Sequence, residues 1–177
     1  MARDTTDETP LNSVSELSDY LASGARPEDE FRLGTEHEKF AFFFVDNSPV
    51  PYEGEASISA LLTGMQQKLG WDPIMDRDNI IGLGERSGMG AISIEPGGQF
   101  ELSGAPLETI HQTCAESNRH LDVLREVAEP MGIHFLGIGG SPKWTLDETP
   151  RMPKSRYEIM SRYMPKVGTQ GLDMMYR

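Results

Sequence analysis

Apolar residues recur along this chain at two different spacings, and the spacing separates predicted helices from predicted strands. A helical repeat such as Val14, Leu17 and Leu21 is typical of one face of an amphipathic helix. The predicted helices are residues 14–23, 56–69, 106–131 and a last segment from near 153 to about 163. A glycine follows each of the first three, where helices commonly end.

The segments predicted to form strands differ from the helices in composition and in the spacing of their apolar residues. Residues 31–45 are rich in aromatic side chains and end at a polar, proline-containing turn, which predicts one strand. Between residues 79 and 104, short apolar pieces alternate with glycine-rich turns, a pattern typical of an antiparallel meander. Residues 133–138 predict a further strand. Because helices and strands follow each other without regular βαβ alternation, we expect an α+β fold with a mostly antiparallel sheet.

Composition narrows the class of protein. The 177-residue chain has a formal net charge of −12 and a single cysteine. Such acidity argues against a nucleic-acid partner, because phosphate groups are neutralised by clustered Lys and Arg. No apolar run approaches the ~20 residues that span a bilayer, and the start, MARDTTDETP, resembles neither a signal nor a transit peptide. We therefore expect a cytoplasmic protein without a membrane partner, whose oligomeric state is open.

The charge is unevenly distributed. Residues 1–30 hold eight acidic and two basic residues, whereas residues 151–177 hold six basic and two acidic residues. A basic segment after an acidic body could bind an anionic ligand. Alternatively, it could pair with acidic surface elsewhere in the same fold.

The first candidate site lies at the head of the aromatic strand. Side chains alternate faces along a strand, so Glu36 and Glu38 point to the same side and His37 points to the other. Two carboxylates so placed repel each other unless a cation lies between them, and oxygen ligands suit Mg²⁺ or Mn²⁺. The alternative is an exposed strand end with two solvated acids.

A second pair of acids flanks the Pro96-Gly97-Gly98 turn. Glu95 precedes the turn, and Glu101 stands between Phe100 and Leu102 in a strand composed for burial. A buried charge without a partner is costly, so Glu101 requires a partner or a metal. Four acids from two sheet segments favour a multi-cation cluster of the kind that serves phosphoryl transfer.

Other candidates carry less information. Residues 152–157 place basic and phenolic groups near a predicted helix start, where backbone N–H groups favour an anion, although a surface helix with ordinary charges has the same pattern. Cys114 falls on the apolar stripe of the long helix, which predicts a buried thiol. His111 and His120 flank that stripe and are predicted to lie on the surface.

Longer motifs carry a resemblance to a known family. They are, in chain order, GTEHEKFAF, EPGGQFELSGAPLETIHQTCAE, MGIHFLGIG, MPKSRY and YMPKVGTQGLDMMYR. Together they resemble the glutamate–cysteine ligases of the plant and proteobacterial type. The resemblance runs from about residue 34 to residue 177. We therefore expect residues 1–30 to form an N-terminal helix and linker, and residues 31–177 to form the N-terminal part of the catalytic domain.

The resemblance implies a glutamine synthetase-like fold, in which a curved antiparallel sheet forms a funnel and helices pack outside it. It also implies ATP-dependent joining of the glutamate γ-carboxyl to the cysteine amine through γ-glutamyl phosphate, the first step of glutathione biosynthesis. The expected partners are glutamate, cysteine and ATP, with Mg²⁺ as the cofactor.

The resemblance also assigns residues. The family's metal-binding acids correspond to Glu36, Glu38, Glu95 and Glu101, the same four that the strand pattern singles out. Of these, Glu36, Glu38 and Glu101 are expected to act in catalysis. The residues expected to contact substrates are Gln99, Lys154, Arg156 and Tyr157.

Family chains are longer than this one, and two alternatives to the ligase therefore stay open. The chain could be a non-catalytic fragment that at most binds Mg²⁺ and ATP. It could instead belong to a related ligase that joins glutamate to another amine.

Overall fold

The computed structural model describes residues 8–177, which form five α-helices and one six-stranded sheet. The strands are Glu36–Phe43 (β1), Asp72–Asp76 (β2), Asn79–Gly84 (β3), Ala91–Ile94 (β4), Gln99–Ser103 (β5) and Ile133–Leu136 (β6). The helices are Val14–Ser23 (α1), Ile58–Leu69 (α2), Ile110–Ala128 (α3), Ser155–Val167 (α4) and Gly171–Tyr176 (α5). Asp4 and Asp7 of the acidic N-terminal segment, and most of the start that we compared with leader peptides, lie outside the described residues.

The sheet has the strand order β2-β3-β4-β5-β1-β6, and every neighbouring pair is antiparallel. The prediction of an α+β fold with a mostly antiparallel sheet is therefore confirmed. The first strand in the chain lies between the fifth and the sixth. Residues 36–40 pair with β5, and residues 40–43 pair with β6.

The aromatic strand ends at Phe43 rather than at residue 45, and β6 ends at Leu136 rather than at residue 138. Two further differences from the prediction are larger. The aromatic strand begins only at Glu36, because residues 31–35 leave the sheet apart from one bridge between Leu33 and Leu107. Strand β2 was not predicted at all, since its sequence, DPIMD, lacks alternation and contains a proline. Proline is tolerated at the edge of a sheet, where β2 lies.

Local capping sets the helix bounds. Ser57 accepts a hydrogen bond from the Ala60 backbone N–H at the start of α2. The predicted helix 106–131 begins only at Ile110, because Thr109 and Gln112 form a reciprocal capping box there. Helix α4 runs four residues beyond the predicted end at residue 163, and α5 was not predicted.

Alternation along the strands places the hydrophobic core on one face of the sheet. The apolar residues of β3, β4 and β5 pack there against α2 and α3. The fully buried apolar residues of these elements are Ile58, Leu61, Leu62, Met65, Leu83, Ile92, Ile94, Phe100, Leu102, Leu124 and Ala128. The opposite face of β1, β4 and β5 is therefore left for polar side chains.

Helix α3 is rotated relative to the predicted stripe. Its buried residues are Thr113, His120, Leu124, Val127 and Ala128. The prediction that His120 lies on the surface is therefore wrong, and so is the prediction of a buried Cys114, which is exposed. His111 is exposed, as predicted. The helix packs mainly through its C-terminal half, so the apolar positions of its first turns do not fix its orientation.

The N-terminal helix stands apart from this core. None of the residues of α1 is buried, although Val14, Leu17 and Leu21 repeat at helical spacing as predicted. The predicted linker that follows contains a short 3₁₀ turn at residues 28–30. Across the part of the chain that the structure describes, no helix combines the length and apolar character needed to cross a bilayer.

Candidate active site

The pairing of β1 with β5 brings two of the four acids together. Glu38 lies directly opposite Glu101, and Ser93 of β4 lies opposite Glu101 on its other side. Directly opposed residues of antiparallel strands point to the same face. Glu38, Glu101 and Ser93 therefore form a row across three strands, on the face away from α2 and α3.

Glu101 is the buried member of this row. Only 3% of its surface is exposed. The Ser103 hydroxyl donates to Oε1 at 2.6 Å, and the Ser93 hydroxyl donates to Oε2 at 2.9 Å. The predicted need of this carboxylate for partners is thus met in part by two hydroxyl groups, neither of which carries a compensating charge.

Glu95 enters the same region from the turn between β4 and β5. The Gly98 N–H donates to the Glu95 carbonyl at 2.9 Å and closes the turn. Gly98 has a φ of 85°, which favours glycine. Burial, followed by the negative charge of Glu101, raises the pKa of Glu95 to about 7. The two carboxylates thus lie close enough for the charge of Glu101 to disfavour ionisation of Glu95.

The two acids of β1 form the open side of the cluster. Glu38 is exposed, yet partial desolvation, and next the charges of Glu101 and Glu36, raise the pKa of its carboxyl group. Glu36 is exposed and lies opposite Ser103, one step along the same face. The alternative of two solvated acids at a strand end describes Glu36 well but not Glu38, because Glu38 interacts with the buried carboxylate.

Hydrogen bonds hold the start of α4 beside these acids. The Ser155 backbone N–H and hydroxyl both donate to Asp76 Oδ2, at 2.6 and 2.7 Å. Two residues later, the Tyr157 hydroxyl donates to the Ile94 carbonyl at 2.7 Å. Two separate strands thus hold the first turn of α4 in place.

This arrangement places Lys154 next to the acids. The side chain is 3% exposed, and its Nζ lies 5.4 Å from the centre of the Tyr157 ring. Its positive charge opposes the increase in the pKa of Glu95. Lys154 is therefore the member of the basic C-terminal segment that faces the acidic cluster, whereas Arg177 pairs with Asp173 within that segment.

The other predicted substrate contacts divide into two cases. Gln99 lies on the face of the acids, opposite Phe40, and its Oε1 accepts from the Gly97 N–H at 3.0 Å. Its amide nitrogen has no acceptor among the described residues. Arg156 is exposed and forms no hydrogen bond or ion pair with any residue between 8 and 177. The structure therefore brings Gln99, Lys154 and Tyr157 to the acids, but not Arg156.

The sequence interpretation overlooked three residues that shape the site. Ser93 and Ser103 bind Glu101, and Asp76 fixes the start of α4. For Ser93 a signal was present in the sequence. It stands between Ile92 and Ile94 with the parity of Glu95, which marks a polar residue on an otherwise buried strand.

The donor chemistry of the cluster fits a hard divalent cation. Glu38, Glu95 and Glu101 offer only oxygen atoms and repel one another, while Lys154 supplies a positive charge beside Glu95. Within residues 8–177, no group of three or more His, Cys, Asp or Glu side chains is arranged so that it could already hold a metal ion. The acids thus supply suitable charge and donor atoms without forming a complete coordination shell.

Fold and site together define a class: an α+β protein whose antiparallel sheet carries a partly buried carboxylate cluster on one face. The sequence profile of glutamate–cysteine ligase family 2 (GCS2) matches residues 32–177. The chain belongs to this family, as the motifs predicted.

The relatives agree with this assignment. The chain is 59% identical over 162 residues to the chloroplastic glutamate–cysteine ligase of Medicago truncatula, covering 92% of this chain and 31% of the relative. Its identity is 57% to the Nicotiana tabacum protein and 56% to the Arabidopsis thaliana protein of the same name, each over 92% of this chain and 30% of the relative. The chain thus spans about a third of the length of these curated relatives. Their names contradict our prediction of a cytoplasmic location, because each is called chloroplastic.

Proposed function

We propose that the full-length protein joins the γ-carboxyl group of glutamate to the amine of cysteine, with ATP as the co-substrate. The observation that carries this proposal is the convergence of Glu38, Glu95 and Glu101 in a chain 59% identical to a named glutamate–cysteine ligase. In the proposed reaction, the γ-carboxylate attacks the terminal phosphorus of ATP and ADP leaves. The cysteine amine then attacks the acyl carbon, phosphate leaves, and the amine loses a proton.

Each acid has a role that follows from its surroundings. Glu36, Glu38, Glu95 and Glu101 would hold Mg²⁺. The bound metal would supply positive charge that offsets the negative charge of the transferred phosphoryl group. Because Glu101 is buried and fixed by two hydroxyl groups, it would anchor the site. Glu36 and Glu38 are exposed and would face the arriving substrates.

The neighbouring residues would bind and orient the anionic substrates. Lys154 would place its ammonium group beside a phosphate or carboxylate, a site that the start of α4 keeps fixed. The free amide nitrogen of Gln99 would donate to the same ligand. The Tyr157 hydroxyl already donates its proton to Ile94, so Tyr157 would act mainly by positioning α4.

The proposal is tested by following ADP release by the full-length protein. ADP release should require both glutamate and cysteine. Glu36→Gln and Glu101→Gln should each lower kcat/KM by at least ~10²-fold, on the scale of removing one group that stabilises transition-state charge. Glu126→Gln is a matched control, because Glu126 is an exposed carboxylate that pairs with Lys68 away from the cluster. Near-normal activity in both cluster variants would refute the assignment. ADP release with another amino acid in place of cysteine would identify a different amine substrate.

A second candidate function concerns the 177-residue chain alone. It covers 30–32% of the length of the relatives, which favours binding of Mg²⁺ and ATP without turnover. Calorimetric titration of this chain with Mg²⁺-ATP, beside the ADP assay, separates the two functions. Binding without ADP release supports the second candidate, whereas turnover by this chain excludes it.

A further inference from the structure

We propose that Ser93 and Ser103 are positioning residues that set the affinity of the site for a divalent cation by fixing the carboxylate of Glu101. The inference rests on the proposed function, because it takes Glu101 to be a metal ligand. Neither serine belongs to the set of residues expected to bind metal or substrate. Their role follows from where β4 and β5 place their hydroxyl groups.

The two hydroxyl groups bind different oxygens of the same carboxylate. Ser103 lies two residues after Glu101 on β5, on the same face, and donates to Oε1 at 2.6 Å. Ser93 lies opposite Glu101 on β4 and donates to Oε2 at 2.9 Å. A carboxylate held at both oxygens, from two directions, cannot turn about its terminal bond without breaking one of these hydrogen bonds.

The arrangement leaves acceptor capacity where it is needed. Each carboxylate oxygen has two lone pairs, and each serine occupies only one of them. The remaining lone pairs lie on the face shared with Glu38 and Glu95, where the Glu95 carboxyl group also contacts this carboxylate. Hydroxyl donors suit this role, because they satisfy a buried carboxylate without the positive charge that would compete with a bound cation.

Glu95 and Glu38 offer a contrast within the same cluster. Among the described residues, neither carboxylate accepts a hydrogen bond from a serine or threonine hydroxyl. Both have a raised pKa, caused first by desolvation. Glu101 is therefore the carboxylate that hydroxyl groups hold at both oxygens, whereas Glu38 and Glu95 are not held in this way.

The test measures Mn²⁺ binding to the full-length protein by electron paramagnetic resonance, with no substrate present. Partners behind a ligating carboxylate typically contribute 10–100-fold to metal affinity. Ser93→Ala and Ser103→Ala should each raise the Mn²⁺ dissociation constant by ~10-fold or more. Ser103→Thr keeps the hydroxyl group on a half-buried residue and should stay close to the unaltered protein.

Two further variants separate the possible failures. Ser57→Ala removes another buried serine hydroxyl, which caps α2, so it should lower thermal stability without changing Mn²⁺ affinity. Unchanged Mn²⁺ affinity in both serine variants, together with lost affinity in Glu101→Gln, would overturn the positioning role alone. Unchanged affinity in Glu101→Gln would instead overturn the metal assignment of the proposed function. Equal losses in Ser57→Ala and Ser93→Ala would show a general structural effect and overturn the inference.

Discussion

His120 is buried against the sheet in a form that should make the protein sensitive to acid. Its side chain is 5% exposed, and neither ring nitrogen has a hydrogen-bond partner among the described residues. Burial, and then the positive charges of Lys39 and His37 on β1, lower the pKa of His120 to about 3. The imidazole is therefore neutral in the folded protein at pH 7.

The sign and size of the effect follow from linkage. In the unfolded chain the His120 pKa returns to 6.5, so acidification places a proton on the unfolded state first and stabilises it. Between pH 7.5 and 5 this costs the folded protein about 2 kcal/mol, and the loss continues until the pH reaches the folded pKa of about 3. The titration of His120 leaves the free energy of unfolding undiminished only above pH 6.5, where His120 is neutral in the unfolded chain as well.

Replacing the imidazole with an apolar side chain of similar size should remove this cost. His120→Leu is expected to raise the free energy of unfolding by about 1–3 kcal/mol at pH 7.5, because no buried nitrogen is left unpaired. The difference between variant and unaltered protein should grow by a further ~2 kcal/mol at pH 5.

Urea denaturation of both proteins at pH 7.5 and pH 5 measures this double difference. Comparing the two proteins cancels the titration of Glu95, Lys39 and His37, which are common to both. Destabilisation of His120→Leu at pH 7.5, with the same difference at pH 5, would show that the ring nitrogens have partners and would refute the reasoning.

Three other variants test the surroundings of the acids. Glu95→Gln should raise the melting temperature at pH 8 but hardly at pH 4.5. The reason is that the pKa of Glu95 is raised in the folded protein, so ionisation of this group destabilises the fold as the pH rises from 4.5 to about 7. Melting curves at both pH values measure the difference. Gly97→Ala should lower the free energy of unfolding by about 1–3 kcal/mol in urea titrations, since a Cβ there would overlap the backbone at the end of α5. Tyr157→Phe should cost about 1–3 kcal/mol in the same titrations, because the Ile94 carbonyl loses its donor; an unchanged midpoint would argue against that hydrogen bond.

The sequence could predict which acidic side chains share a face of the sheet, because side chains along a strand alternate between the two faces. Glu36 and Glu38 share a face whatever strand lies beside them, and Glu101 between two buried apolar residues is unusual in any sheet. The partner of β1 could not be predicted in the same way. Pairing with β5 rather than with a neighbour in sequence depends on tertiary packing, and it is this pairing that brings Glu38 opposite Glu101.

The incorrect predictions have a common origin in competing local signals. Strand β2 was not predicted because its five residues include a proline and two acids. Helix α3 begins at Ile110, later than predicted, because a capping box precedes it. The burial of His120 was missed because the stripe of α3 was assigned from apolar residues alone. The buried face of α3 contains a threonine and a histidine, which are polar side chains that can be buried in an uncharged form.

The position of β1 between β5 and β6 also governs when the site can form. Glu38 and Glu101 are separated along the chain by roughly 60 residues. Bringing them together closes a loop of that length, which carries an entropic cost before any contact is made. On the ribosome, β1 must wait with its aromatic residues unpaired until β5 has emerged. Once β5 has emerged, the meander of β3, β4 and β5 can form first from local contacts and then provide the edge onto which β1 docks. Slowing translation once residue 103 has left the ribosome should therefore help this chain to reach its folded state.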